Sequence, residues 1–166
     1  LGAPITTILL AHNANSTVPD YLRTGVFMRR ASRTTLSSAM DVGNQSNLER
    51  LTSLYPDAAT LGTAILAQSI DDEATRERIR RDFAAYGRIW CPHSAVAAEA
   101  CARLEHRETR GAWAIVATAH PAKFREIIEP LIGTPLSVPT SLARLYERPV
   151  RCEEIEATLQ ALKESL

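Results

Sequence analysis

The sequence predicts an α/β fold, a parallel sheet flanked by helices, on three observations. Short apolar runs recur along the chain, each breaks into a polar cluster, and each cluster leads into a stretch of helical period. These handovers fall at His12–Thr17, Pro92–Ser94 and Thr118–Lys123, with a weaker fourth at Ser69–Asp72. Strands and helices in alternation give a parallel sheet whose carboxyl ends share one edge. The polar clusters are therefore expected to face a common crevice, where open α/β sheets keep their ligands.

Each element has its own local reason. Ile5-Thr6-Thr7-Ile8-Leu9-Leu10-Ala11 is β-branched and apolar and reads as a buried strand. Pro19 suits the start of a short helix that Gly25 closes. Residues 29–47 are polar without clear periodicity, which marks a linker or a functional loop. Leu48, Leu51, Leu54 and Tyr55 form one helical face, and Pro56 stops it. Thr63–Ala67 is the next strand, and Asp71 and Asp72 cap the helix after it. Ile79, Phe83 and Tyr86 make the expected buried stripe of that helix, with Gly87 as its left-handed terminator.

Ile89-Trp90-Cys91 reads as a short strand leading to Pro92-His93-Ser94 and a helix over 95–104 that is Ala-rich and nearly apolar all round. The run Ala112-Trp113-Ala114-Ile115-Val116-Ala117 has the composition of a strand buried on both faces. It breaks at Thr118-Ala119-His120-Pro121-Ala122-Lys123-Phe124, where Pro121 fits a first helical turn. Phe124, Ile127, Ile128 and Leu131 line a helix ended by Gly133. Residues 134–150 carry three prolines and no clear period, and 153–166 read as an amphipathic helix on Ile155, Leu159, Leu162 and Leu166.

Composition narrows the function classes. At 166 residues and 18.2 kDa, 45% hydrophobic and 23% charged, the chain holds one core of ordinary size. Zero formal charge and a pI of 7.1 give no electrostatic case for a nucleic-acid partner. No segment reaches the length of a membrane span. Cys91, Cys101 and Cys152 are odd in number and lack paired spacing, which points to a reducing, cytoplasmic setting. Leu1-Gly2-Ala3-Pro4 is neither an initiator nor a signal peptide and reads like the interior of a longer protein.

The chemistry-bearing residues leave several alternatives. His12, His93, His106, His120 and Cys91 lack the paired spacing of a zinc site, so no metal is expected. No nucleophile elbow, dinucleotide fingerprint or phosphate loop occurs. Only two of the 19 basic residues are lysines, Lys123 and Lys163. Lys123 at a helix start is a Schiff-base candidate, but a solvent-facing lysine paired with Glu126 or Glu129 is the commoner arrangement. Asp41 is a pocket acid or a turn residue, and Asn44 and Asn47 are pocket residues or helix caps.

Four stretches together resemble one family. Ala11-His12-Asn13-Ala14-Asn15-Ser16-Thr17-Val18-Pro19, then Thr35-Leu36-Ser37-Ser38-Ala39-Met40-Asp41-Val42-Gly43-Asn44 with Ser46-Asn47, then Pro92-His93-Ser94-Ala95-Val96-Ala97, then Thr118 to Phe124, are similar in this order to threonine synthase. The resemblance covers residues 1 to about 145 and departs at Gln45, where the family usually has proline. It implies a pyridoxal 5'-phosphate enzyme of the tryptophan-synthase-β type (fold type II) that turns O-phospho-L-homoserine and water into L-threonine and phosphate. It also implies that the cofactor lysine and the glycine-rich phosphate loop precede Leu1. The chain would then be an incomplete C-terminal part, inert alone, with a missing N-terminal part of the same enzyme as its partner. Residues 1–145 would belong to the catalytic domain and 146–166 to a helical tail.

By the same resemblance Thr118 would meet the pyridine nitrogen of the cofactor, and His93 and Ser94 would wall its ring. A hydroxyl both donates and accepts, so Thr118 would not force that nitrogen to stay protonated. Asn13, Asn15, Asp41, Asn44, Ser46 and Asn47 resemble pocket residues. Two other readings compete: a stand-alone, non-enzymatic ligand-binding or interaction module derived from this fold, and a pyridoxal enzyme for another substrate such as threonine deaminase. The second is disfavoured by the Ala39–Gly43 and Ala119–Phe124 runs.

Overall fold

A computed structural model of the chain describes residues 4–105, 112–150 and 152–166. The reading of Leu1-Gly2-Ala3 and the candidate His106 lie outside the described residues. The chain divides into two compact units, Leu1–Leu136 and Ser137–Leu166.

In the first unit, β1 (Ile8–His12) and β2 (Ile65–Ser69) form a two-stranded parallel sheet, with Ile8 opposite Ile65 and His12 opposite Ser69. Between them run α1 (Thr17–Thr24), a 3-10 turn at Ser38–Met40, α2 (Leu48–Leu54) and α3 (Ala58–Ala64). After β2 come α4 (Asp72–Tyr86), α5 (Pro92–Glu105), a 3-10 turn at Pro121–Phe124 and α6 (Arg125–Ile132). The α/β expectation, with a parallel sheet and flanking helices, is met. The carboxyl ends of the two strands are tied by Ile70 N–H donating to His12 O at 2.8 Å and Ser69 Oγ donating to Asn13 O at 2.7 Å.

Alternation along β1 shows that both faces of the sheet are covered. Leu10 packs with the cluster of Val18, Tyr21, Leu48, Ala58, Leu61 and Ile65, while Leu9 and Ala11 pack with Ile70, Val96 and Ala100. Successive strand residues point to opposite faces, so α1 and α3 cover one side and α5 the other. A third cluster, Ile79, Ala95, Ile128 and Leu136, joins α4, α5 and α6. Gly25, Gly87 and Gly133 end α1, α4 and α6 at φ of 75°, 62° and 69°, the left-handed terminators that the sequence marked. Asp71 caps α4 by accepting Ala74 N–H at 2.8 Å.

Several expectations change. The run 112–117 forms no ladder: Trp113 and Ile115 are half-buried between exposed Ala112, Ala114 and Val116, the period of an extended chain with one side covered. A strand needs a partner for its backbone groups, and β1 and β2 pair with each other. Residues 89–91 are likewise not a strand, because Trp90 Nε1 donates to Asp82 at 2.6 Å and ties the segment to α4. Tyr86 is 80% exposed, and the buried face of α4 is Thr75, Ile79 and Asp82. Helix α3 has no forerunner in the periodicity; Asp57 nucleates it by accepting Thr60 N–H at 2.7 Å.

In the second unit, α7 (Thr140–Tyr146) stands where the sequence shows no period. The tail helix α8 spans only Leu159–Glu164, capped by Thr158, and its stripe is open: Leu159 is 69% and Leu166 99% exposed.

Candidate functional site

A crevice is present, running alongside β1 with only its polar end at the carboxyl end of the strand. A cleft of about 1280 Å³ runs between residues 4–12 on one side and 112–118 on the other. Its body is apolar, lined by Ile5, Ile8, Leu48, Trp113 and Ile115 among others. Its polar end gathers His12, Gln45, Asn47, His93, Thr118 and Lys123. Three of the polar handovers thus meet, although only the one after β1 follows a strand.

Thr118 is exposed in this cleft and held from behind by the first turn of α5. Its N–H donates to Ser94 Oγ at 3.5 Å, and its hydroxyl lies 3.9 Å from Cys91 Sγ. Ser94 is buried, 3.2 Å from the same sulfur. Ser94 is therefore a support for Thr118 and does not line the cleft. His93 accepts Ala39 N–H on Nε2 at 3.1 Å, which places the neutral ring's proton on Nδ1. Burial lowers the His93 pKa, with Lys123 adding to the effect and Asp41 opposing it. The imidazole packs against Phe124, with ring centroids 5.1 Å apart and planes tilted by 49°. His12 is pushed down to about 4 by burial and stays neutral.

Asn13, Asn15 and Asp41 do something other than line the pocket: they clasp the long polar loop. Asn13 Nδ2 donates to Asp41 Oδ1 at 2.7 Å and Thr35 Oγ1 at 2.8 Å, and its Oδ1 accepts both Asn15 N–H and Asn15 Nδ2 at 2.9 Å. Asn15 then pairs with the backbone of Arg33, accepting its N–H at 2.7 Å and donating to its carbonyl at 2.9 Å. Asp41 accepts Thr35 N–H at 3.0 Å and the Thr35 hydroxyl at 2.7 Å. Gly43 completes the clasp, since a Cβ there would lie 2.2 Å from Arg30 O. The loop is ordered, and through Ala39 it orients His93.

Asn47 lines the cleft, while Asn44 and Ser46 are exposed and do not. His120 caps its own turn, accepting Ala122 N–H on Nδ1 at 3.1 Å, a structural task. Lys123 lines the cleft and makes no ion pair among the described residues, and Glu129 instead takes Arg125 and the Leu136 N–H. Gln45, Thr35 and Ser37 belong to the site or its clasp and are not singled out by the sequence, whereas His12 stands in the polar cluster expected to face the crevice. Thr35 and Ser37 are signalled only by lying in the polar run before Asp41. Among the described residues no group of His, Cys, Asp and Glu gathers to hold a metal. No described helix is long and apolar enough to cross a membrane.

These features define an α/β domain with a cleft along β1 whose polar end lies at the carboxyl end of that strand. A family described as "Threonine synthase, C-terminal" matches residues 94–166. Threonine synthase of Serratia marcescens is 34% identical over all of this chain, and that of Escherichia coli 33% over 98% of it. The chain spans 38% and 37% of the lengths of these relatives. The crystal structure of the E. coli threonine synthase superposes with a TM-score of 0.86 at 32% identity, over 99% of this chain and 38% of that one. A PLP-bound threonine synthase from Brucella melitensis shares the fold at 24% identity and a TM-score of 0.80. By sequence and by fold, this chain corresponds to the C-terminal part of the threonine synthases.

Proposed function

We propose that the chain works as the C-terminal part of a threonine synthase, a pyridoxal 5'-phosphate lyase of threonine biosynthesis that converts O-phospho-L-homoserine and water to L-threonine and phosphate. The observation that carries this reading is the position of Thr118: an exposed hydroxyl in the cleft, fixed by Ser94 and Cys91 and flanked by His93 and Lys123. That donor set fits the flat, polar-edged ring of the cofactor. When bound, the cofactor withdraws electrons from the substrate's amino-acid carbon atoms.

The chain's own residues then have distinct tasks. Thr118 offers the ring nitrogen a hydroxyl that follows its protonation state. His93, neutral and held by Ala39 and Phe124, walls the ring, with Ser94 fixing the turn beneath Thr118. Asn47, with the clasped loop of Asn13, Asn15 and Asp41 behind it, shapes the substrate side. The lysine that binds the cofactor belongs to the remaining N-terminal part of the enzyme, so this chain is inert alone. Residues 1–145 form the C-terminal portion of the catalytic domain, and 146–166 its tail. The protein acts in the cytoplasm, where thiols such as those of Cys91 and Cys152 stay reduced.

The test is to incubate the chain with pyridoxal phosphate, reduce with borohydride, and assay phosphate release from O-phospho-L-homoserine. No specific adduct and no release are expected. A stable adduct at Lys123 accompanied by turnover overturns the reading. With the N-terminal part of the E. coli enzyme joined before Leu1, release is expected, and Thr118→Val is expected to lower it.

A further inference from the structure

We propose that Lys123 and the Nδ1–H of His93 form a seat for a phosphate group at the polar end of the cleft, filled at work by the phosphate ester of the substrate. The seat stands on the structure of this chain, and its assignment to that substrate rests on the proposed reading.

Charge is the first observation. Among the described residues that line the cleft there is no Asp, Glu or Arg, and Lys123 carries the sole formal charge. Burial keeps His12 and His93 neutral at pH 7. Glu129, a candidate partner on the next turn, is spent on Arg125 and on the Leu136 N–H. One uncompensated cation at the end of an apolar cleft attracts an anion, and the apolar walls weaken the screening of that attraction.

The orphaned donor beside it is the second. His93 Nε2 accepts Ala39 N–H, so the ring proton sits on Nδ1, and that atom is closed off from solvent with no partner among the described residues. A buried N–H without an acceptor is rare and marks a place where an acceptor is missing. Cation and donor are held side by side. Lys123 N–H donates to His120 O at 3.1 Å, the preceding Ala122 is fully buried, and the following Phe124 packs against the His93 ring. The Lys123 backbone is thus fixed while its side chain, exposed in the cleft, is free to reach a ligand.

A cation next to an N–H calls for an oxyanion, and magnitude decides which. A phosphate monoester carries about −1.5 to −2 charges at neutral pH and a carboxylate about −1, so at equal distance a lysine attracts the phosphate up to about twice as strongly. The planar fork of arginine is the better match for a carboxylate, and no arginine lines the cleft. Phosphate is also the group released in the proposed reaction, and a fixed cation beside it steadies the charge it carries away.

Inorganic phosphate tests the seat on this chain alone, with the His93 imidazole as an NMR reporter. Its signals are expected to shift with a dissociation constant on the order of millimolar, and acetate is expected to bind at least threefold more weakly. Lys123→Met, at an exposed position, is expected to weaken phosphate at least tenfold, while Lys123→Arg retains it. No shift with phosphate, equal binding of acetate, or binding undiminished by Lys123→Met overturns the seat. In the protein with the N-terminal part of the E. coli enzyme joined before Leu1, Lys123→Met is expected to raise the KM for O-phospho-L-homoserine at least tenfold with cofactor retention unchanged. Loss of the cofactor at unchanged KM overturns the assignment to the substrate and gives the seat to the cofactor's own phosphate. Phosphate binding through Lys123 in a joined protein that turns nothing over upholds the seat and overturns the catalytic reading.

Discussion

Removing the Asp41 carboxylate should loosen the loop over the cleft while sparing the sheet. Asp41 receives three hydrogen bonds of good length, from Thr35 N–H at 3.0 Å, the Thr35 hydroxyl at 2.7 Å and Asn13 Nδ2 at 2.7 Å, and a long one from Asn15 at 3.3 Å. A hydrogen bond to a charged group contributes about 1.5–3 kcal/mol, but these do not simply add. Asn13 keeps Thr35 Oγ1 and the Ser37 carbonyl, and the Thr35 hydroxyl turns to Ser37 Oγ at 3.3 Å, so only Thr35 N–H loses its partner outright. Asp41→Ala should therefore cost about 3 kcal/mol, that of one orphaned donor and one weakened network. Asp41→Asn keeps the shape but turns an NH2 group toward donors, and should cost about 2 kcal/mol. In a urea titration followed by Trp fluorescence, with a slope of about 2 kcal/mol/M, Asp41→Ala lowers the midpoint by about 1.5 M. Amide exchange should rise across 33–41 and stay constant in α4. A midpoint within about 0.2 M of wild type, or loop exchange unchanged, would refute the clasp.

Two further outcomes follow from buried charge. His12 has a folded pKa of about 4 against an ordinary value of 6.5. Between those values the unfolded chain takes up a proton that the native chain refuses, so stability is full above pH 6.5 and falls as the pH drops toward 4, by up to about 3 kcal/mol. His12→Asn should flatten that slope in urea titrations at pH 7.5 and 4.5, and an unchanged slope would exclude His12 as its source. Glu99 bonds Arg78 at 2.8 Å, Arg103 at 2.8 Å and Arg81 at 3.1 Å. Burial pushes its carboxyl up, but the hydrogen bonds of Arg103 and Arg78 pull harder, and the pKa ends below the usual value. Glu99→Ala removes one of the two carboxylates on the largely buried Arg78, which keeps Asp82 at 3.0 Å, and should cost about 2 kcal/mol, whereas Arg81→Ala, at a half-exposed partner, should cost under about 1 kcal/mol. Equal melting-temperature losses for the two variants would contradict this.

What could be read in the sequence was local and punctuated. Gly25, Gly87 and Gly133 each mark a helix end because the left-handed conformation strains a side chain, and Asp71 marks a start because its oxygen reaches an orphan amide. The meeting of the polar clusters was expected from strand direction, yet two of the three follow segments that form no strand, so tertiary packing and not a shared ladder brings them together. The clasp was not legible: Asn13 and Asp41 were visible, but a hydrogen bond across 28 positions is set by packing and leaves no period in the sequence. His120 could not be assigned from the sequence, because a capping imidazole and a ligand-facing one are the same letter. Helix α3 escaped because its Ala- and Thr-rich run carries little apolar signal, and its cap does the specifying.

The run at 112–117 fails as a prediction both of pairing and of burial on two faces, since only Trp113 and Ile115 are half-buried and the rest are exposed. Six apolar residues in a row meet no purpose on a half-exposed segment, since a one-sided strand keeps every second residue polar. The same holds for Ile5 and Ile8 on the facing flank, both exposed and apolar. Thr118 lies at the end of that run and is tied to the first turn of α5 through Ser94, so the placement of 112–117 also sets the height and tilt of its hydroxyl in the cleft.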